Sequence, residues 1–155
     1  MRFLTIIYLL LIASLYSICI SDALEPSEGQ SVGKLRAAAE QALAEGNSDK
    51  ALELFNRVVQ MEPANGSNYY KRFRVYLRQM KFKEAISDLS KVLEISSSDE
   101  NALGQRAKLQ LRIGRCSEAL QDFHRLRKVN QSHKDLGSQE QAERCDVALK
   151  QVNKM

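Results

Sequence analysis

The sequence predicts an all-α solenoid of three helix-turn-helix hairpins, each 34 residues long, closed by a C-terminal capping helix. Three observations predict it. Ala51, Ala85 and Ala119 recur 34 residues apart, and four residues beyond each stands a large apolar side chain, Phe55, Leu89 or Phe123. The same frame carries Leu35/Tyr69/Leu103, Ala39/Phe73/Ala107, Leu43/Leu77/Leu111 and Val58/Val92/Leu126. Composition agrees, with no Trp, two Pro and no stretch alternating with period two.

The central hairpin, Asn68 to Ile95, shows why the elements form. Tyr69, Phe73, Tyr76 and Leu77 recur at helical spacing, as do Phe82, Ala85, Ile86, Leu89, Val92 and Leu93, with a turn near Gln79–Lys81. The small residue at Ala85 lets the two helices approach, and Leu89 one turn later fills the groove between them. Such a hairpin buries its apolar faces only against neighbours. The frame places those neighbours at 32–65 and 100–133, either side of 66–99. Ser27 or Ser31 is expected to cap a first helix over 32–45, Gly46 to end it, and Asn47 or Ser48 to cap the next. Helices are expected near 101–113 and 117–129, and a last one over 138–152 within the capping segment 134–155.

Residues 1–23 differ in kind. Arg2 precedes an uncharged apolar run from Phe3 to Ile20, and Ser21-Asp22-Ala23 supplies small residues before a cut after Ala23. The expectation is a cleaved signal peptide, then a polar lead-in at 24–31; an uncleaved anchor is the alternative, and only that would tie the chain to a membrane. Either way the repeats face the endoplasmic reticulum lumen or the exterior. The net charge of +4 is spread among acids, without the basic, aromatic-interleaved block that nucleic acid requires. The two His have no paired Cys or carboxylate at metal-ligand spacing, no Gly-rich phosphate loop or nucleophile motif occurs, and neither enzyme, metal nor cofactor is expected.

A 34-residue period with this small-then-large pattern resembles the tetratricopeptide repeat (TPR) family. The resemblance implies a right-handed superhelix whose concave groove is lined by the first helix of each hairpin. The stretch YYKRFRVYLRQMKFKEAISDLSKVLEI is also similar to the N-terminal repeats of the ER-lumenal DnaJ-type TPR co-chaperones, which join a signal peptide, nine repeats and a J domain. In that family this subdomain is associated with holding unfolded polypeptides. The J-domain tripeptide His-Pro-Asp is absent, since His133-Lys134-Asp135 lacks the proline, so stimulation of Hsp70 does not carry over.

The resemblance implies that Arg36, Leu43, Tyr70, Lys71, Arg74, Leu77, Lys108 and Leu111 line the groove as protein-binding candidates, apolar anchors amid cations. Packing between hairpins is the other reading of the three leucines. The dicarboxylate clamp that other TPRs use for the acidic tails of Hsp70 and Hsp90 aligns with Arg36, Glu40, Lys71, Asn101 and Gln105. Only Arg36 is conservative there, so no such clamp is expected. Cys116 and Cys145 form an even pair once the signal is removed, which predicts a disulfide in an oxidising compartment, with two buried thiols as the alternative. Asn65-Gly66-Ser67 and Asn130-Gln131-Ser132 are glycosylation candidates in inter-hairpin turns. The reading is a non-catalytic secretory-pathway module that binds unfolded or extended polypeptide segments; a scaffold docking one folded partner is the alternative.

Overall fold

A computed structural model describes residues 28–152. The expected signal peptide and its cut after Ala23 lie outside the described residues, as do Ser27 and 153–155. The chain divides after Lys34 into two compact units, and the repeats belong to the second, Leu35–Met155. The described residues are all helical: α1 Glu28–Ala44, α2 Ser48–Met61, α3 Gly66–Arg78, α4 Phe82–Ile95, α5 Glu100–Arg112, α6 Cys116–Val129, a short 3-10 helix Lys134–Ser138, and α7 Gln139–Val152. The helix expected over 32–45 begins earlier, so Ser31 lies inside it rather than capping it. No described helix is long and apolar enough to cross a membrane.

The repeat frame is the core. Ala51, Ala85 and Ala119 are fully buried, as are Phe55, Leu89, Phe123, Val58 and Leu126. Three apolar clusters follow the hairpins. Phe55 gathers Ala39, Ala42 and Val75; Leu89 gathers Tyr69, Phe73 and Leu103; Phe123 gathers Ala107 and Ala142, the last contributed by α7. Ala142 is fully buried, so α7 covers the open side of the third hairpin.

Side-chain caps set the helix starts. The Asn47 side chain accepts from the Lys50 amide, Asn65 from Ser67 and Asp99 from Ala102. The turn inside each hairpin needs a left-handed residue, supplied by Gly46 (φ 83°) and Gly114 (φ 79°) in the outer repeats. The middle repeat places Met80 there at φ 58°, where a Cβ crowds the backbone. Met80 is 62% exposed and loses little packing if truncated. Met80→Gly is therefore expected to stabilise the fold by about 0.5–1 kcal/mol, read as a raised denaturation midpoint; an unchanged or lowered midpoint would mean that the turn carries no strain.

A buried ion pair also repeats. Arg72 donates from Nε and Nη2 to the two carboxylate oxygens of Asp88, at 2.9 and 2.6 Å, and from Nη1 to Asn56 at 2.9 Å. Thirty-four residues on, Arg106 does the same to Asp122, both at 2.7 Å, and to Ser90 at 3.0 Å. Each guanidinium thus ties its own hairpin together and reaches the preceding one. The first repeat has Ala38 and Leu54 at these positions.

Candidate functional site

The predicted binding residues fall on α1, α3 and α5, and their surroundings divide them. Leu43 is only 6% exposed and belongs to the cluster around Phe55. Of its two expected roles, packing between hairpins fits this burial, against the small residues Ala39, Ala42 and Ala51. Leu77 and Leu111 are half-buried, packed at the margins of the second and third clusters. Tyr70 is half-buried as well, its ring 5.3 Å from that of Phe73.

The cations are mostly partnered. Arg36 donates to Glu62 at 2.6 Å and to Asn68 at 3.1 Å. Glu62 also accepts from the Asn68 and Asn65 amides; these bonds, and then the Arg36 charge, hold its carboxyl below the usual range against the push of burial. Lys71 pairs with Glu40. Lys108 pairs with the buried Asp135 at 2.8 Å, and Asp135 sits so close to α5 that a Cβ on Gly104 would collide with its carboxylate. Arg74 is exposed and has no ionic partner among the described residues. Of the cations expected on this face, Arg36, Lys71 and Lys108 are thus paired with acids. Glu62 and Asp135 reach Arg36 and Lys108 from the segments that follow the second helices, positions that the helical period does not flag.

Two concavities remain along α3. One, of about 410 Å³, lies beside its N-terminal half and is lined by Tyr70, Val92, Ile95, Asp99 and Asn101. Burial pushes the Tyr70 hydroxyl up, and the negative charges of Asp99 and Asp135 push it further, partly opposed by Arg74. The other, of about 290 Å³, lies beside the C-terminal half, where Lys71, Arg74 and Arg78 face Glu40, Leu43 and Ala44. Arg78 donates to the Leu43 carbonyl at 2.7 Å. Burial lowers the Lys71 ammonium, and repulsion from Arg36 and Arg74 lowers it again.

Cys116 and Cys145 are joined as a disulfide between the start of α6 and α7, with a Cα separation of 5.8 Å. The two sequon asparagines share one arrangement. Asn65 and Asn130 each accept from the amide two residues on and donate Nδ2 to a glutamate, Glu62 or Glu100.

No protein-family model matches the chain. It is 38% identical over 93 residues to DnaJ homolog subfamily C member 3 of Rattus norvegicus, covering 60% of this chain and 18% of the relative. It is 31% identical over 81 residues to the tetratricopeptide repeat and J domain-containing co-chaperone DNJ1 of Cryptococcus neoformans, covering 52% of this chain and 16% of that one. Among solved structures it superposes on the first TPR of Spaghetti (RPAP3) bound to the HSP90 peptide SRMEEVD, at TM-score 0.64 and 20% identity, over 77% of this chain and 94% of that one. A tetratricopeptide repeat protein from Parabacteroides merdae matches at TM-score 0.67 and 26% identity, over 73% and 46%. The chain spans less than a fifth of the length of these curated relatives. The chain has the tetratricopeptide-repeat fold, and over 93 residues it is similar to the DnaJ homolog subfamily C member 3 proteins.

Proposed function

We propose that this chain is a non-catalytic polypeptide-binding module of the secretory pathway that holds unfolded or extended segments on the face of α1, α3 and α5. The observation that carries the reading is the half-buried apolar row Tyr70, Leu77 and Leu111 on α3 and α5, in a chain similar to DnaJ-type co-chaperones. Partly exposed aromatic and leucine side chains of this kind gain by burial against a partner. The address rests on the apolar run from Phe3 to Ile20, and N-terminal sequencing of lumenal or secreted material is expected to begin at Leu24.

Leu77→Ser combined with Leu111→Ser is expected to weaken suppression of aggregation of a denatured test protein, by roughly 2 kcal/mol or thirtyfold in affinity. Both leucines also pack at cluster margins, so far-UV circular dichroism must stay helical, and Tyr70→Ala provides a second variant. If folded forms of both hold the test protein as well as the parent does, the face is not the binding surface.

The acidic tail peptide held by the RPAP3 structure gives a sharper comparison. The clamp positions of the third repeat are Asn101 and Gln105, which offer no charged grip on a terminal carboxylate. Amidating the C-terminus of SRMEEVD is therefore expected to change its affinity for this chain little. A second reading, an adaptor docking one folded partner, is favoured by the exposed apolar side chains of α7, Val147 at 54% and Leu149 at 45%. Stoichiometric recovery of a single folded protein, unaffected by Tyr70→Ala, would support it.

A further inference from the structure

We propose that the face selects client segments that carry a carboxylate side chain two to four residues from a large apolar one. This rests on the polypeptide-binding reading and names its ligand class. The two concavities lie on successive stretches of one helix: Tyr70 borders the apolar cleft with Val92 and Ile95, and Arg74 and Arg78 border the basic depression. On an α-helix at about 1.5 Å per residue, the step from Tyr70 to Arg74 or Arg78 is roughly 6–12 Å. An extended segment at about 3.3 Å per residue crosses that in about two to four residues.

Charge decides what occupies each end. Lys71, Arg74 and Arg78 line the depression against one acid, Glu40, which Lys71 already engages. Arg74, exposed and without an ionic partner among the described residues, is left to receive a carboxylate beside Arg78. At the other end Asp99 and Asn101 border the cleft, so a carboxylate is repelled there while an apolar side chain lies against Tyr70, Val92 and Ile95. The two ends therefore discriminate in opposite senses. The site overlaps the clamp positions at Glu40, Lys71 and Asn101, but its cation without an ionic partner, Arg74, is not among them, and Asn101 and Gln105 carry no charge. The ligand feature is a side-chain carboxylate within a segment rather than a chain terminus.

The probes are acetylated, amidated glycine-rich peptides holding one Phe and one Asp three residues apart, in either order, with Asn and Lys in place of Asp as controls. Fluorescence polarisation with the full chain is expected to show Asp favoured over Asn by about fivefold in at least one order, Lys weakest, and the Asp/Asn ratio shrinking as salt rises. Arg74→Glu, a change at an exposed position, is expected to keep the helical spectrum and melting midpoint and to abolish or invert the Asp-over-Lys preference. Equal binding of the Asp and Asn probes, or an Arg74→Glu variant that keeps the preference, overturns the selectivity and leaves polypeptide binding standing. Failure of every peptide to bind, together with no suppression of aggregation, overturns both.

Discussion

Asp88→Ala is expected to destabilise the chain by about 3–5 kcal/mol, the cost typical of removing one partner from a buried ion pair. The Asp88 side chain is 3% exposed and that of Arg72 18%. Arg72 lies between the Tyr69 and Tyr76 rings, 5.7 Å from each centroid. Without the carboxylate, a guanidinium enclosed by two rings and Asn56 has no counter-charge within reach. Burial is the largest influence on the Asp88 carboxyl and pushes it up; the bonds from Arg72 pull it back, and the two-point geometry keeps the pair charged. For a unit of this size the loss corresponds to a melting midpoint lower by about 10 °C or more. Arg72→Met with Asp88→Leu is expected to recover most of it, because the pair's attraction and its desolvation nearly cancel. A drop under about 1 kcal/mol for Asp88→Ala, read by chemical denaturation, would mean that water reaches Arg72 and that the pair does not hold the hairpins.

The repeat frame that places this pair was legible in the sequence through its apolar members. Ala85, Leu89 and Val92 recur with hydrophobic partners, and burial is the default for such side chains. Arg72/Arg106 and Asp88/Asp122 keep the same spacing. They read as surface charges, because nothing in an amphipathic pattern marks an arginine that turns inward. A second signal was available: the Arg-to-Asp offset of 16 residues recurs in both repeats and is absent from the first, where Ala38 and Leu54 stand.

The proposed face was legible in part. Tyr70, Lys71 and Arg74 border concavities along α3, whereas Leu43 is mostly buried. Repeat register gives a residue's direction from its own helix. It does not give the depth of the neighbouring helix, and small residues on α1 and α2 set that depth at Leu43. The counter-charges were missed for a related reason. Glu62 and Asp135 approach the face from connecting segments, whose paths depend on how the hairpins stack. Gly104, a small residue in α5, is the one local sign that a side chain from elsewhere, Asp135, closes on that helix.

Cys145→Ser is expected to lower stability by about 3–4 kcal/mol, most of it through the freedom it restores to α7. Cys116 and Cys145 are 29 residues apart, and closing a loop of that size removes about 3.6 kcal/mol of chain entropy from the unfolded state on the loop-entropy estimate. Cys116 is 1% exposed and lies beside the contact that α7 makes through Ala142. A neighbouring polar tie, Ser117 Oγ donating to Asp146 at 2.5 Å, remains in the variant and keeps part of the docking. Reductant is expected to reproduce the loss in the parent chain and to add nothing in Cys145→Ser, which separates the bond from any packing defect of the serine. Hydrogen exchange should then rise in Gln139–Val152 before it rises in the repeats, since the clusters around Leu89 and Phe55 do not include α7. A proteolytic digest of oxidised protein from the secretory pathway should yield the Cys116 and Cys145 peptides linked. Free peptides from that source, with a midpoint unmoved by reductant, would show that α7 is held by Ala142 and Asp146 alone.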